Sequence, residues 1–424
     1  MPEVTASPLD LASVIREGDR VMVSQGVCEP LGLVQALREQ AANLPAVELF
    51  IGFSLSGLVD VDLARQVSVV SYGAMAGLGA VDAAGLLDVV PCNYSDLPGL
   101  IREGSLAADV LLLQVTPPDE LGNCTTGISM DFTVDALAGA RVIVAEINDQ
   151  LPRHPGAAVV PLERLTLSTP VSRPVLSMPH GDPTELDLAI AAGVASLVPD
   201  GATLQLGFGS TVNAIGQLLT SRRGLRVHSA LVGDWLLDLE RAGALAPPDG
   251  QRPVIVTGAA MGSAELYRFV AEDPRVELRQ IEGIQRPEVL ATLDGLVAIN
   301  SAIQVDVAGQ VNVELIGARR VSALGGHTDF MRGAQASAGG RSIIALPSTA
   351  GRKRVSRIVK TLDSSWVSTQ QSMVDHVVTE HGVADLRGVG LGRRRKALAA
   401  VADPERRSFL LPDSTPAPLP ESVT

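Results

Sequence analysis

Short apolar runs alternate with amphipathic stretches along most of the chain. Runs rich in Val, Leu and Ile predict buried strands at residues 21–23, 47–51, 67–70, 110–113 and 142–147. Apolar positions at helical spacing predict helices at 31–42 and 133–140. The alternation resumes with a predicted helix at 187–197, a strand at 203–206 and a helix at 212–219. Strands that alternate with helices predict an α/β fold with mainly parallel sheets.

Two stretches of the sequence repeat one local pattern. Gly18 opens a short apolar run that ends at Gly26 and is followed by a predicted helix. Gly201 opens a similar run that ends at Gly209 before another predicted helix. Two copies of one strand–turn–helix unit predict two similar halves, each with its own sheet.

The composition of one segment indicates where the halves separate. Residues 161–183 are rich in Pro, Ser and Thr, which interrupts helix and strand periodicity, so we expect a linker there. The predicted domains are therefore residues 1–183 and 184–411. The tail 412–424 is rich in Pro and Ser without apolar periodicity, and we expect it to be disordered.

Composition and charge narrow the class of protein. Of the 424 residues, 46% are hydrophobic and 3% aromatic, which suits parallel strands covered by Ala-rich helices. The net charge of -13 argues against nucleic acid or an anionic membrane as the main partner. Three cysteines without C-x-x-C spacing predict a reducing, cytoplasmic compartment. The N-terminus lacks the apolar run of a signal peptide, and no apolar run approaches the ~20 residues that span a bilayer.

A first glycine-rich turn lies between a predicted strand and a predicted helix. It contains Gly207, Gly209, Thr211 and Val212. Its amide N–H groups could hold an anion at the helix N-terminus. It lacks the third glycine of a dinucleotide-binding fingerprint and the Gly-Lys-Ser/Thr of a P-loop. A turn that packs closely against neighbouring backbone explains the glycines equally well.

A second turn combines paired glycines with polar and charged side chains, namely Gly325, Gly326, His327, Thr328, Asp329 and Arg332. Paired glycines permit backbone conformations that expose consecutive N–H groups, a geometry suited to an oxyanion. The six histidines of the chain show no metal-binding spacing, so we expect no metal site.

Ordered segments along most of the chain resemble the acetyl-CoA hydrolase/CoA-transferase family. The resemblance lies in residues 117–123, 131–133, 145–148, 201–209, 262–267, 299–302, 305–306, 309–310, 325–334, 344–348, 356–359 and 378–387. Each segment is weak evidence by itself, but together they keep one order from about residue 15 to about residue 405.

The resemblance implies two similar CoA-transferase-type domains with an active site between them, and a homodimer or larger homo-oligomer. An acyl-CoA would bind with its thioester near residues 207–213 and 325–328, so coenzyme A enters as part of the substrate. In the family, a glutamate carboxylate attacks the thioester and forms an acyl-glutamyl anhydride. It then carries CoA as a glutamyl thioester to a small carboxylate.

One position departs from the family pattern. The family's glutamate follows a serine in a pattern like His-Ser-Glu-x-x-x-Asp-Gly. The matching stretch here contains His228, Ser229, Ala230, Asp234 and Trp235. Ala230 stands at the position of the nucleophile, and Trp235 replaces the glycine, which suggests a reshaped acyl pocket. A methyl group cannot form an anhydride, so the glutamyl route is not expected for this chain.

Four other side chains are candidates for direct roles. His327 is either a general base beside the oxyanion turn or a histidine that only donates a hydrogen bond in a packed loop. Asp234 is expected to orient its loop, and a direct chemical role is the alternative. Ser348 and Lys353 could contact the phosphates or ribose of CoA, or be simply solvated.

Three functions are compatible with these residues. The favoured one is an enzyme that reacts at an acyl-CoA without a glutamyl intermediate, by hydrolysis, acyl transfer to a small nucleophile or decarboxylation. The second is a true CoA-transferase between an acyl-CoA and a small carboxylate. The third is a non-catalytic protein that binds acyl-CoA.

Overall fold

A computed structural model describes residues 9–178, 181–250, 252–363 and 366–411. The tail 412–424, predicted to be disordered, lies outside the described residues. Two large sheets organise the described chain, one in each half. No described helix combines the length and the apolar character needed to cross a membrane.

The first half of the chain builds a seven-stranded sheet. The strands of this half of the chain are β1 (Arg20–Val23), β2 (Glu48–Phe50), β3 (Ser68–Ser71), β4 (Leu87–Val89), β5 (Val110–Val115), β6 (Asn123–Thr125), β7 (Val142–Asn148), β8 (Val159–Pro161) and β9 (Leu167–Val171). The sheet order is β4-β3-β2-β1-β5-β7-β9, and all neighbours are parallel. β6 and β8 form a separate antiparallel pair. The helices are α1 (Leu31–Gln40), α2 (Val61–Ala64), α3 (Leu78–Ala83), α4 (Leu97–Arg102) and α5 (Thr133–Ala136).

The second half builds an eight-stranded sheet. The strands of this half of the chain are β10 (Thr203–Gln205), β11 (Arg226–Val232), β12 (Ile255–Ala260), β13 (Val276–Leu278), β14 (Leu296–Asn300), β15 (Gln304–Asp306), β16 (Val311–Asn312), β17 (Leu315–Ile316), β18 (Arg319–Arg320), β19 (Arg341–Ala345), β20 (Thr349–Ala350), β21 (Val355–Ser356), β22 (Ile358–Val359), β23 (His376–Thr379) and β24 (Gly382–Asp385). The sheet order is β13-β12-β11-β10-β14-β19-β23-β24, and only the edge strand β24 is antiparallel. The remaining strands form small sheets beside it.

The helices of the second half surround this sheet. They are α6 (Glu185–Ser196), α7 (Ser210–Leu219), α8 (Trp235–Arg241), α9 (Ala264–Glu272), α10 (Glu282–Gln285), α11 (Pro287–Ala291), α12 (His327–Ala336), α13 (Leu391–Ala400) and α14 (Arg407–Leu410). Short 3-10 helices lie at Leu11–Ser13, Gly26–Cys28, Ala41–Asn43, Tyr94–Asp96, Leu162–Arg164, Gln371–Met373 and Pro404–Arg406.

The two sheets share one topology, as the repeated glycine pattern predicts. The order β4-β3-β2-β1-β5-β7 corresponds strand for strand to β13-β12-β11-β10-β14-β19. Gly18 and Gly201, which precede β1 and β10, have left-handed φ values of 80° and 75°. Each repeated strand lies in the interior of its sheet, which confirms the prediction of two similar, mainly parallel α/β domains.

Alternating burial explains why the first sheet is covered on both faces. Val21 and Val23 of β1 pack into one apolar cluster, whereas Met22 packs into another. On the neighbouring β5, Leu112 joins the first cluster and Leu111 the second. Successive side chains of a strand point to opposite faces, so apolar residues at every position require helices on both sides.

The segment 161–183 contains more structure than the predicted linker. Leu167–Val171 within it forms β9, the edge strand of the first sheet, which pairs in parallel with β7. Pro170 is tolerated because an edge strand has a ladder partner on one side only. The Pro and Ser content that predicted irregular structure is therefore also compatible with an edge strand. The domain boundary near residue 183 stays a prediction.

The two halves contact each other directly. The amide of Met130, in the first half, donates a 2.7 Å hydrogen bond to the carbonyl of Gly258, which lies on β12 of the second half. The Tyr94 amide donates a 2.8 Å hydrogen bond to the carbonyl of Gly325. These bonds place the second glycine-rich turn and β12 of the second sheet against the first half.

Candidate active site

Both glycine-rich turns end at the N-terminus of a helix. Gly209 has φ 125°, and α7 begins directly after it. Gly325 has φ 52°, Gly326 caps α12, and that helix begins at His327. Residues other than glycine rarely adopt such φ values, which explains the glycines at positions 209 and 325. The second turn leads into ten helical residues, and the first N–H groups of that helix have no partner within the helix. The first of them, the His327 N–H, donates to the carbonyl of Leu324 at 3.0 Å.

The two helix N-termini border one cavity of about 600 Å³, which we call the channel. The predicted binding residues that line it are Gly207, Gly209, Thr211, Val212, Gly326 and His327. All of the lining belongs to the second half of the chain. Because helix N-termini carry partial positive charge, the channel suits an electronegative group.

His327 is the first residue of α12 and is buried, with 8% of its surface exposed. Its Nε2 atom has no hydrogen-bond partner within the described ranges. Burial lowers the pKa of this imidazole to about 4. The ring is therefore neutral at pH 7, and one of its two nitrogens can accept a hydrogen bond.

Arg357 also lines the channel and was not a sequence candidate. One guanidinium nitrogen, Nη1, donates to the carbonyl of Ala302 at 3.2 Å. The buried Nε has no partner in the part of the chain that the structure describes. Burial lowers the pKa of Arg357. No described carboxylate lies within 4.0 Å of its guanidinium, so the positive charge is available to a ligand.

A second cavity, of about 620 Å³, lies between the two halves, and we call it the chamber. Ala230, near the end of β11, lines the chamber and is partly exposed to it. Gly325 also lines it. The chamber and the channel share four lining residues, Phe208, Val321, Ser322 and Gly326, which we call the junction.

The first half contributes a chain of three uncharged polar side chains to the chamber. The Tyr72 hydroxyl donates to Gln25 Oε1 at 2.9 Å, and Gln25 Nε2 donates to the Tyr94 hydroxyl at 2.6 Å. Burial raises the pKa of both tyrosines, so both hydroxyls keep their protons at neutral pH. With either orientation of the Gln25 amide, one tyrosine hydroxyl hydrogen is not used within the chain.

Asp131 is the one carboxyl group among the described residues that line the chamber. Its Oδ2 accepts from the Gln25 amide at 3.1 Å, and its Oδ1 accepts from the Thr133 amide at 2.9 Å and from the Thr133 hydroxyl. Burial raises its pKa. These three bonds hold the carboxyl group against the backbone of its own half.

Gln285, at the end of α10, packs against the junction. It is 1% exposed, and its Oε1 has no hydrogen-bond partner among the described residues. A Cβ atom at Gly326 would lie 2.5 Å from that oxygen, so any larger residue there would displace the Gln285 amide. The Gln285 amide therefore borders the point where the two cavities meet.

Three predicted residues near Ala230 lie outside both cavities. The Ser229 hydroxyl donates to the carbonyl of Leu206 at 2.6 Å. Asp234 Oδ1 accepts from the amide and the hydroxyl of Ser263 at 3.0 and 2.7 Å, and its loop-orienting role stays a prediction. Trp235 is fully buried, and its indole N–H donates to the carbonyl of Gly207 at 3.0 Å. Trp235 thus supports the channel from behind and does not line the chamber.

The other predicted residues also lie outside the two cavities. Asp329 accepts from the Ser95 hydroxyl at 2.9 Å across the interface, and burial raises its pKa to about 7. Ser348 is buried, and its hydroxyl donates to Glu380 at 2.6 Å. The Thr328 hydroxyl donates to the Ser368 carbonyl at 3.4 Å. Arg332 and Lys353 are both exposed on the surface.

Sequence reasoning missed the wall that the first half contributes to the chamber. Gln25 directly precedes Gly26 of the repeated pattern, and Asp131 lies in one of the resembling segments, so both positions carried a signal. Tyr72 and Tyr94 carried none, because an isolated tyrosine looks like any partly buried aromatic residue. Across the described ranges, no group of three or more His, Cys, Asp or Glu side chains could hold a metal ion.

Comparisons with known proteins agree with this architecture. The profile of the acetyl-CoA hydrolase/transferase N-terminal domain matches residues 2–172, and that of the C-terminal domain matches residues 262–413. The chain is 36% identical to 4-hydroxybutyrate coenzyme A transferase of Clostridium kluyveri, with 94% of each chain covered. It is 32% identical to the succinyl-CoA:cyclohexane-1-carboxylate CoA transferase of Geobacter metallireducens, with 95% and 93% covered.

Solved structures show the same relationship. RipA from Yersinia pestis is similar with a TM-score of 0.87 and 29% identity, and 94% of each chain is covered. The 4-hydroxybutyrate CoA-transferase of Porphyromonas gingivalis is similar with a TM-score of 0.77 and 32% identity over 94% of this chain and 93% of that one. From its residues, its paired sheets and these similarities, the chain belongs to the acetyl-CoA hydrolase/transferase family.

Proposed function

We propose that this protein cleaves an acyl-CoA thioester without a glutamyl-CoA intermediate. The observation that carries the proposal is the alanine at position 230, which lines the chamber where the family pattern has its nucleophilic glutamate. Asp131, the one carboxyl group of the described chamber lining, is held by three hydrogen bonds. No described carboxylate in the chamber is therefore free to attack a thioester.

The two cavities suggest how the substrate binds. The pantetheine arm of CoA occupies the channel, the acyl group occupies the chamber, and the thioester lies at the junction. N–H groups at the start of α12 stabilise the negative charge that develops on the carbonyl oxygen during attack. Relatives of this chain are named CoA-transferases and acetyl-CoA hydrolases, and both kinds of enzyme act on such thioesters.

Water is the proposed nucleophile, and His327 is the residue that orients it. Neutral His327 accepts a hydrogen bond from the water at a ring nitrogen. The water oxygen bonds to the thioester carbon, the carbon–sulfur bond breaks, and the water proton passes to the departing thiolate. The products are the free acid and CoA. A pKa near 4 makes His327 a weak base, so its contribution is positioning more than full proton abstraction.

The chamber does not favour the alternatives. Transfer of CoA to a second carboxylate, and decarboxylation of a carboxylated acyl group, both bring an anion into the chamber. None of the described residues that line it is Lys, Arg or His. A buried carboxylate without a cationic partner is costly, so an uncharged acyl group and water fit this cavity better.

A thiol-release assay on short and medium acyl-CoAs, with and without acetate, tests the proposal. We expect release without acetate, with the free acid identified by mass spectrometry, and at least about a tenfold loss in His327→Ala. His376→Gln is the matched control, because His376 is also buried but lines neither cavity. Consumption that requires acetate and yields acetyl-CoA would establish a transferase, and equal rates in His327→Ala would remove His327 from the mechanism.

A further inference from the structure

We propose that the chamber selects an uncharged, largely apolar acyl group and discriminates against acyl groups that end in a carboxylate. This inference rests on the proposed function, in which the acyl group of the substrate occupies the chamber. It concerns the chemical class of the substrate, which the glycine-rich turns and Ala230 do not specify.

The apolar side chains of the chamber favour an apolar acyl group. Four methionines line it together with two phenylalanines, namely Met75, Met130, Met178, Met261, Phe53 and Phe208. Methionine side chains are flexible and polarisable, so they adapt to an apolar ligand of irregular shape. A cavity of about 620 Å³ is far larger than an acetyl group, and it lies within the range of small-molecule sites.

The charge of the chamber disfavours an anionic acyl group. Its ionisable groups within the described ranges are Tyr72, Tyr94 and Asp131, and none of them can become positive. Asp131 would repel a carboxylate when ionised and could offer it no positive charge when protonated. Burying an anion without a cation or several donors costs free energy, so a carboxylate-terminated acyl group is disfavoured.

The polar wall fits the same substrate class. Gln25, Tyr72 and Tyr94 satisfy one another through two hydrogen bonds, and one hydroxyl hydrogen is left over. The leftover hydrogen of this wall can accommodate a hydroxyl or keto oxygen on an otherwise apolar acyl chain. The chamber's other side-chain donors, on Ser129, Gln285 and Ser322, are also uncharged, so none of them supplies the positive charge that would balance a buried carboxylate.

The channel provides an internal contrast. Arg357 and His327 line the channel, and Arg357 has a buried Nε without a partner among the described residues. A basic group without a carboxylate partner among the described residues therefore lies where CoA is proposed to bind, and the described lining of the acyl side has no basic group. An anionic acyl group would have to lie on the wrong side of the junction to reach that cation.

Calorimetric binding of two non-reactive acyl-CoA analogues, in which CH₂ replaces the thioester sulfur, tests this inference. The 4-methylpentanoyl and succinyl groups have nearly the same size, because an isopropyl end and a carboxylate end each carry two atoms on one branching carbon. We expect the 4-methylpentanoyl analogue to bind at least about tenfold more tightly. Equal or tighter binding of the succinyl analogue, or no binding of either analogue, would overturn the inference.

A cation placed in the chamber should reduce the discrimination. Met75→Lys introduces an ammonium group on a partly buried, unbranched side chain, and we expect the ratio of the two affinities to fall at least about threefold. Met373→Lys is the matched control, because Met373 is also partly buried but lines neither cavity. An unchanged ratio in Met75→Lys with intact binding would show that charge in the chamber does not set the preference.

Binding and turnover separate this inference from the proposed function. If the apolar analogue binds more tightly but no acyl-CoA is cleaved, the substrate preference stands and the catalytic proposal fails. If thioesters are cleaved without acetate but succinyl-CoA is bound and cleaved as well as 4-methylpentanoyl-CoA, the catalytic proposal stands and the preference fails.

Discussion

The channel and the chamber enclose nearly the same volume, about 600 and 620 Å³, but their chemistry differs. The channel has two helix N-termini, a buried histidine and an arginine on its walls. The chamber has methionines, aromatic rings and uncharged polar groups, and no basic side chain among its described residues. The described lining of the channel therefore includes basic side chains that the chamber lacks, which suits the two cavities to different parts of a ligand.

The difference follows from how each cavity is built. The channel lies entirely within the second half of the chain, where loops at the ends of parallel strands meet the starts of helices. Such edges present backbone N–H groups, which suit electronegative ligands. The chamber forms between the two halves, so side chains of both define it. Its character therefore depends on residues that are remote from one another in sequence.

The largest expected effect comes from giving the chamber a carboxylate nucleophile. In Ala230→Glu, the new carboxylate can attack an acyl-CoA, release CoA as thiolate and receive it back as a glutamyl thioester, with the acyl group leaving as a carboxylate. After a single turnover, the mass of a modified chain should exceed that of the unmodified chain by the mass of CoA less one water. We expect this adduct on a large fraction of the Ala230→Glu chains and on none of the wild-type chains.

Ala230→Gln is the control for this experiment, because its side chain has the same size but cannot attack a thioester. It should show no adduct. An adduct on the wild-type protein would contradict the proposed mechanism directly. A folded Ala230→Glu protein that binds the apolar analogue but forms no adduct would show that position 230 does not face the thioester.

A smaller effect is expected from the buried base of the channel. His327 has a pKa near 4 in the folded protein and about 6.5 when exposed, so the unfolded state binds a proton that the folded state excludes. The contribution of His327 to the free energy of unfolding is therefore fully present above about pH 6.5. It is lost as the pH falls towards 4, and the loss amounts to up to about 3 kcal/mol. His327→Gln should flatten that fall, as measured by urea unfolding between pH 7.5 and 4.5.

His228 serves as an internal reference in the same titration. Burial lowers its pKa to about 4 as well, so part of the acid sensitivity should persist in His327→Gln. A pH profile that is identical in the wild type and in His327→Gln would mean that His327 is accessible to protons in the folded state.

The smallest expected effect concerns the wall that the two cavities share. In Gly326→Ala, the new Cβ would meet the Gln285 side-chain amide at 2.5 Å, so this amide must move. We expect a loss of about 1–2 kcal/mol in unfolding free energy and weaker binding of both CoA and the acyl analogues. In a Gln285→Ala background the same change should cost almost nothing. A full cost in both backgrounds would show that Gln285 is not the obstacle.

Much of the fold could be predicted from local pattern. Apolar runs placed β1, β5 and β7 within one or two residues of their ends, because strands buried on both faces leave a continuous apolar signal. The edge strand Leu167–Val171 escaped prediction because its alternating exposure and its proline imitate a linker. Burial on only one side leaves a weaker pattern than burial on both.

The sequence by itself determined the two halves, the two glycine-rich turns and the alanine at position 230, because each is written in contiguous residues. The tertiary structure alone decided which side chains share a cavity. It brought Gln25, Tyr72 and Tyr94 to the chamber that Ala230 lines, and it turned Trp235 away from that chamber into the core. These outcomes depend on how two sheets meet across an interface, and a local pattern cannot encode contacts between residues that are far apart along the chain.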